Sequence, residues 1–227
     1  MNFRKIGKYI GVAAGVFFAA TLLWVLLLKW VPVTYTPLML IRSVQYRSQG
    51  ESHALRRQWK PLDEISPEMV RAVIASEDGK FLRHHGFDWA GMRAAFAGNR
   101  QGKRLKGGST ISQQVAKNVF LWPSRSYVRK AFEAYFTVLI EVVWGKRRIM
   151  EVYLNVVEEG RHVYGVEAAS QLYFGHAARS LSAYEAASLA AVLPSPRYYR
   201  VVNPSAGVRK RIARIYANMS YVPRVRW

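Results

Sequence analysis

The chain has 227 residues, of which 34 are Lys or Arg and 14 are Asp or Glu, giving a formal net charge of +20. It contains no cysteine, which excludes disulfides and thiolate metal sites but leaves the redox compartment open. Only six of the basic residues precede Glu51, and Glu51 is the first acidic residue. The part after residue 50 therefore contains all the acidic residues and is still strongly basic.

An apolar run at residues 10–28 contains no charged side chain and only Thr21 as a polar one. This length is about enough to cross the hydrocarbon core of a bilayer. Three basic residues precede the run: Arg4, Lys5 and Lys8. The positive-inside rule therefore predicts a single-pass anchor with a cytoplasmic N-terminus. A cleaved signal peptide is the alternative, but the run is long for one and no small-x-small cleavage site precedes Pro32.

The predicted organisation has four parts: a cytoplasmic segment (1–9), a transmembrane helix (10–31), a juxtamembrane segment (32–54) and one outer domain (55–227). The juxtamembrane segment mixes apolar residues with Arg42 and Arg47. It suits either a segment resting in the headgroups or a linker with a few core anchors, and the sequence leaves both open. Beside a membrane, the basic surface suits anionic headgroups or a lipid-linked phosphate better than nucleic acid, with solubility alone as the alternative.

The outer domain is predicted to be all-α, without internal repeats, because helix caps recur along it and strand-like alternation is scarce. The predicted helices are one after Ser66 and Pro67, 89–98, one capped by Ser109 to Asn118, one capped by Ser126 to Trp144, 146–157, 165–174, one opened by a Ser182/Glu185 capping box, and one from Ser205. A basic, glycine-containing loop is predicted at 98–108.

Two adjacent carboxylates, Glu77 and Asp78, fall in the last turn of the helix that begins after Ser66. The helix dipole disfavours negative charge at this end and raises the pKa of a carboxyl placed there. A carboxyl with a raised pKa suits a general base or acid. His84 is interpreted as positioning this loop, because zinc-ligand spacing is absent around it.

Residues 107–118 read Gly-Gly-Ser-Thr-Ile-Ser-Gln-Gln-Val-Ala-Lys-Asn. On a helix, Thr110, Gln114 and Lys117 share one face, and the glycines precede an N-terminus whose free N–H groups attract anions. The pattern suits a phosphate-bearing ligand or, equally, a solvated helix face.

Arg129 and Glu133 are spaced for an i, i+4 ion pair, which is usually a weak surface contact. The residues that follow are nearly all apolar, so Glu133 is predicted to lie near a core, where a carboxylate needs a partner or a role. A further polar set is interpreted as packing and hydrogen bonding: Lys146, Glu151, Tyr153 and Asn155.

Taken together, these segments resemble the motifs of the peptidoglycan glycosyltransferases of family 51, in their monofunctional, membrane-anchored form. The first motif is matched by Glu77, Asp78, Phe81, His84 and Gly86. The second is matched by residues 107–118, with Ser112 where Thr is frequent. The third is matched by Arg129, Lys130, Glu133 and Ala134, and further matches lie at 146–155, 165–175 and 181–196. Trp144 to Lys146 and Met150 depart from the common pattern without touching an implied catalytic residue.

The resemblance implies a lysozyme-like helical fold and polymerisation of lipid II into β-1,4-linked glycan, with release of undecaprenyl pyrophosphate. It makes Glu77 the base on the acceptor hydroxyl and places Glu133 in the catalytic set. The implied substrate- and pyrophosphate-binding residues are Asp78, Phe81, His84, Ser109, Thr110, Gln114, Lys117, Asn118, Arg129 and Lys130. A divalent cation, Mg²⁺ or Mn²⁺, is left open as a cofactor.

The implied location is the bacterial inner membrane, with the catalytic domain on the periplasmic side and transpeptidases and divisome proteins as partners. Because the chain ends at Trp227, no transpeptidase domain is expected. Two alternatives remain: a muralytic glycosidase or lytic transglycosylase, and a non-catalytic, membrane-tethered polyanion-binding module. The cations expected beside Glu133 favour departure of a diphosphate over hydrolysis, since cleaving a sugar–sugar bond instead requires a protonated acid.

Overall fold

A computed structural model of the protein describes residues 3–51, 54–93, 108–124, 126–225 and 227, with no side-chain description for residues 3 and 4. The fold is 65% helical with 3% strand, which confirms the predicted mainly α class. Of the predicted basic loop only Gly108 lies within the described residues, so that loop stays a prediction. The helix predicted at Trp89 begins there and is described to residue 93.

The first helix, α1 (Phe3–Trp30), includes a 26-residue apolar stretch, Lys5–Trp30, that is long enough to span a membrane. Most of its side chains are exposed, but its C-terminal part docks on the rest of the chain. Val25 is fully buried, and its carbonyl accepts a hydrogen bond from the Trp144 indole at 2.8 Å. The hydroxyls of Thr21 and Tyr135 lie 2.6 Å apart. Helix α1 is therefore packed against the rest of the helical chain rather than joined to it by a free tether.

The juxtamembrane segment contains a helix, α2 (Pro37–Ser48), which Thr36 caps through its hydroxyl. Met39 and Tyr46 of this helix are buried, while Leu40 and Val44 are exposed. The buried face of α2 therefore fits the second possibility raised by the sequence, a linker with a few residues anchored in the core. The division of the chain into four parts remains a prediction.

The remaining helices are α3 (Pro67–Glu77), α4 (Ile111–Phe120), α5 (Tyr127–Val143), α6 (Gly145–Val156), α7 (Val166–Phe174), α8 (Ala183–Val192) and α9 (Ala206–Asn218). Single 3₁₀ turns lie at Leu62–Glu64, Ala178–Ser180 and Met219–Tyr221. The caps predicted at Ser66, Ser126, Ser182 and Ser205 are confirmed, each hydroxyl accepting from a backbone N–H of the first turn. This satisfies donors that the start of a helix leaves unpaired.

Three short strands form a small sheet in the order β1 (Arg56–Arg57), β3 (Val163–Tyr164), β2 (Glu158–Gly160). Strands β1 and β3 are parallel, and β2 and β3 form an antiparallel hairpin. The sequence did not predict them, because two or three residues are too few to show alternation.

Packing brings the motif-bearing helices together. Helix α4 packs against α5 and α6, and α3 packs against α8 and α9. Between α4 and α5, the rings of Phe120 and Phe136 stack with their centroids 4.5 Å apart. The C-terminus of α3, the N-terminus of α4 and the N-terminal half of α5 are thereby held on a common core.

Candidate active site

The two carboxylates at the end of α3 have different environments. Asp78 is the C-cap residue of the helix and is buried. Its Oδ2 accepts the backbone N–H of Ile111 at 3.1 Å, and its oxygens lie 2.9 and 3.0 Å from Nε2 of His84. Asp78 therefore joins the end of α3 to the start of α4, and His84 positions this loop as its sequence spacing suggested.

The cap of α4 corrects the sequence prediction, because Thr110 rather than Ser109 occupies the N-cap. The Thr110 hydroxyl accepts from the Gln113 N–H at 3.2 Å and donates to the Gly86 carbonyl at 2.6 Å, while the Gln113 side chain accepts from the Thr110 N–H. With Asp78 on the Ile111 N–H, these donors of the first turn already have protein partners. The expectation of an open, anion-binding N-terminus is wrong for them.

The Glu77 carboxylate lies next to this junction and is reached by solvent, with 15% of its side chain exposed. Its Oε2 accepts from Gln114 Nε2 at 3.1 Å, and its Oε1 lies 3.3 Å from a guanidinium nitrogen of Arg211. Burial raises the pKa of Glu77, although the Gln114 hydrogen bond and the charges of Arg211 and Lys117 oppose the rise. A carboxylate that is partly desolvated yet accessible is suited to accept a proton.

Two side chains around Glu77 were missed as site residues by the sequence analysis. Arg211 lies on α9, beyond the sequence motifs, in a basic run that also contains Arg209 and Lys210. The Tyr153 hydroxyl lies 3.4 Å from Gln114 Oε1, so it helps to hold the amide whose other end contacts Glu77. The basic run was the only available signal for Arg211, and nothing in the sequence ties it to residue 77.

The second carboxylate, Glu133 on α5, has a side chain that is only 2% exposed, which confirms its predicted position at the core. Its Oε2 accepts from Arg129 at 2.7 Å, and its Oε1 pairs with the Lys130 ammonium. The Lys130 ammonium also lies 3.4 Å from the Ser109 hydroxyl. Glu133 thus holds two cations, of which Lys130 is 42% exposed and Arg129 only 12%. Ser109 lies beside Lys130 rather than capping α4.

Lys117 lies in the electrostatic field of both carboxylates. Its side chain is exposed, yet the surrounding protein desolvates the ammonium and lowers its pKa, against the opposing field of Glu133 and a smaller one of Glu77. The charges of both Glu77 and Glu133 act on the Lys117 ammonium, so we treat these three side chains as one candidate site, called the cleft below.

Three other predicted site residues are buried and form part of the framework around the cleft. Phe81 is fully buried, and the Lys146 ammonium lies 4.5 Å from its ring centroid. His84 and Asn118 are also almost wholly buried, so they hold the cleft rather than line it broadly.

Apart from Tyr153, the polar set at 146–155 makes packing and hydrogen-bonding contacts, as predicted. The Asn155 amide binds both the N–H and the carbonyl of Lys60, at 2.7 and 2.8 Å. Glu151 accepts from the Leu62 N–H at 2.9 Å, and Lys146 pairs with Glu141 at 2.6 Å.

Within the part of the chain that the structure describes, no three His, Asp or Glu side chains are grouped so that they could hold a metal ion. Both oxygens of Glu133 are taken by cations, and those of Glu77 face Gln114 and Arg211.

Comparison with known proteins gives a consistent result. The family model described as Transglycosylase matches residues 44–220. A biosynthetic peptidoglycan transglycosylase of Bdellovibrio bacteriovorus is 51% identical over 214 residues, covering 94% of this chain and 86% of the relative. Proteins of the same name from Caulobacter vibrioides and Bacteroides thetaiotaomicron are 52% and 47% identical, covering 84% and 97% of this chain and 81% and 89% of the relatives.

Proposed function

The chain belongs to the transglycosylase family, and from this premise we propose that it polymerises lipid II into glycan strands. The acceptor is the 4-hydroxyl of a lipid II disaccharide. The donor is a growing strand linked through undecaprenyl pyrophosphate. The proposal is supported by an accessible Glu77 of raised pKa and a buried Glu133 paired with two cations, because the charges of both carboxylates act on Lys117.

Glu77 is assigned as the general base. Forming a β-glycoside from an α-linked phosphate inverts the anomeric carbon, which requires one base on the side of the attacking hydroxyl. The Glu77 carboxylate is accessible, and its raised pKa strengthens it as a proton acceptor. Pyrophosphate leaves as a weak base, so the proposal needs no protonated acid on the opposite side.

We assign binding of the leaving diphosphate to three cationic side chains: Lys117, Arg129 and Lys130. Positive charge held near the departing oxygens stabilises the negative charge that develops there. Glu133 acts as a positioning residue, because its two oxygens hold Arg129 and Lys130 and so fix where their charge lies. Asp78, through Ile111 and His84, holds the loop that carries the base.

No step of this proposal passes through a metal ion, because the described carboxylates do not form a ligand set. Whether activity requires a divalent cation is tested separately, by measuring the polymerisation rate as Mg²⁺ or Mn²⁺ is titrated into chelator-treated protein.

The proposed location is the inner membrane, with α1 as a single-pass anchor and the cleft on the periplasmic side. Transpeptidases and divisome proteins are proposed as partners. Docking of α1 on the helical domain supports a cleft held close to the bilayer, where a lipid-linked substrate lies.

Labelled lipid II incubated with the purified full-length protein in detergent micelles tests the proposal. We expect long glycan strands that a muramidase degrades. Shortening of preformed strands with release of muropeptides would instead favour the glycosidase. Salt-sensitive binding without turnover would favour the non-catalytic module.

A further inference from the structure

An arginine on α3 binds the chain just beyond the end of α9. The Arg71 guanidinium donates from Nη2 to the Met219 carbonyl at 2.6 Å and from Nε to the Val222 carbonyl at 3.1 Å. Its third nitrogen, Nη1, pairs at 2.8 Å with Glu68, which lies one turn earlier on α3. The Arg71 side chain is 18% exposed, so these contacts are largely shielded from water. The C-terminal end of α9 is therefore attached to α3 by two directed hydrogen bonds.

The same two helices meet again at the base. Arg211 of α9 lies 3.3 Å from the Glu77 carboxylate, which ends α3. At a rise of about 1.5 Å per residue, Glu77 lies about 9 Å beyond Arg71 along α3, and Arg211 lies about 12 Å before Met219. The two contacts therefore set α9 antiparallel to α3, with one attachment on carbonyls and the other on the carboxylate of the base.

The position of the Arg211 guanidinium depends on where α9 lies. Among the described residues it hydrogen-bonds to Glu77, and its Nε has no hydrogen-bond partner. A side chain with so few directed contacts is placed mainly by the backbone that carries it. Helix α9 also buries apolar side chains, namely Val208, Ile212 and Ile215. Apolar burial is non-directional, so it attaches α9 to the core without fixing its exact position along α3.

The two hydrogen bonds of Arg71 supply that missing direction. The donors of a guanidinium lie in one rigid plane, so binding two carbonyls at once defines the position of both. The contact between Arg211 and Glu77 is already at the long end of the hydrogen-bond range. A movement of α9 by about 1 Å would therefore be enough to break it.

We propose that Arg71 is a positioning residue for the base, because by holding the end of α9 it places the Arg211 guanidinium against Glu77. This inference rests on the proposed function, since it concerns the carboxylate that the proposed reaction uses as its base. The other groups that act on Glu77 are the Gln114 amide and the charges of Lys117 and Asp78. None of these belongs to α9, so all of them are retained in the variants below.

The pH profile of kcat/KM for lipid II polymerisation by the full-length protein tests the proposal in Arg71→Met, which removes the donors and keeps an unbranched side chain. When the Arg211 guanidinium moves away, its charge no longer lowers the Glu77 pKa as strongly. We expect the acid limb to move to higher pH by roughly 0.3 to 1 pH unit, a part of what losing a nearby opposite charge produces. At one pH on that limb, the rate falls by about 2- to 10-fold.

A double variant separates this route from a direct effect of the Arg71 charge. Arg71→Met added to Arg211→Gln should leave the acid limb where Arg211→Gln alone places it, because no guanidinium remains to be positioned. An equal shift in both backgrounds would overturn the proposal, as would an unchanged limb in Arg71→Met alone. Arg71→Lys is the milder variant if circular dichroism shows Arg71→Met to be unfolded. It keeps the charge without the planar pair of donors, so its acid limb should also move to higher pH.

Arg148→Met is the matched control, because Arg148 is held in the same way at another helix end. Its side chain is 13% exposed, pairs with Glu151 of its own helix, and donates to the Leu28 and Val31 carbonyls at the end of α1. Both variants should lower the thermal midpoint, but only Arg71→Met should move the acid limb. The same movement in both would reduce Arg71 to general stabilisation. If the wild-type protein forms no polymer, or shows no acid limb, the proposed function or its base fails rather than the positioning role alone.

Discussion

Glu77 and Glu133 are the same residue type in one cleft, yet their surroundings differ in the number of fixed cations. Glu77 has an amide on one oxygen and a single guanidinium 3.3 Å from the other, and burial raises its pKa. Glu133 is more deeply buried, but both of its oxygens hold cations.

The difference teaches that partners, more than depth, decide what a buried carboxylate does. A carboxylate whose cations only partly offset desolvation gains proton affinity. One that is fully paired becomes a fixed counter-charge that places cations accurately. The predictions below separate these two roles.

Glu77→Gln should produce the largest loss of activity. The amide keeps the size of the side chain but cannot take the proton from the attacking hydroxyl of the acceptor sugar. The polymerisation rate should therefore fall by about 10²- to 10⁴-fold. Gel analysis of glycan products from labelled lipid II measures this. Glu64→Gln, a largely exposed partner of Lys60, is the control and should retain the wild-type rate. Full activity of Glu77→Gln would remove the base assignment.

Glu133→Gln should reduce activity less, by roughly 10- to 100-fold, because Arg129 and Lys130 remain but lose the charge that fixes them. The matched variant is Glu141→Gln, because Glu141 lies on the same helix as Glu133 and is also buried in an ion pair, with Lys146 of the next helix. We expect both variants to lower the thermal midpoint and only Glu133→Gln to lower kcat strongly. Equal kinetic losses in the two variants would reduce Glu133 to a structural ion pair.

Tyr153→Phe should have a smaller effect, below about tenfold in kcat/KM, because one net hydrogen bond contributes only about 1 kcal/mol. The Gln114 amide loses the hydroxyl that orients it, which weakens its hydrogen bond to Glu77. Since that hydrogen bond lowers the Glu77 pKa, the acid limb of the rate profile should move to higher pH. A rate profile identical to that of the wild type would make Tyr153 a packing residue only.

Glu159→Gln should change stability and leave the rate nearly unchanged. Glu159 is 1% exposed, its side-chain oxygens have no hydrogen-bond partner among the described residues, and burial raises its pKa well above the usual value. In wild-type protein, the stability contributed by the protonated form is present below the unfolded pKa and is lost as pH rises towards the folded one. The variant should therefore gain stability relative to wild type above about pH 4.5, by up to ~1.4 kcal/mol per pH unit. Thermal midpoints between pH 4 and 8 measure this, and a constant difference would contradict it.

The sequence predicted the local parts of this comparison well. Caps at Ser66, Ser126 and Ser182 are local signals, and the structure has each of them. The nearly all-apolar run after Glu133 predicted a mainly buried helix, and Glu133 lies at the core as expected.

The contacts between distant segments could not be predicted from a sequence pattern. Arg211 reaches Glu77 across 134 residues, a contact that depends on how α9 packs against α3. Thr110 replaced Ser109 as the cap of α4 because its hydroxyl also binds the Gly86 carbonyl on the loop after α3. Periodicity within one segment contains no information about either pairing.

The most direct test of the central claim is the pH profile of kcat/KM for lipid II polymerisation in wild type and in Arg211→Gln. The Arg211 charge lowers the Glu77 pKa, so its removal should raise that pKa further. If the Glu77 carboxylate is the base, both proteins lose activity as the pH falls, and the acid limb of Arg211→Gln lies at higher pH than that of wild type. An acid limb at the same pH in both proteins would contradict the account, because the group that titrates would then not be the one that Arg211 contacts.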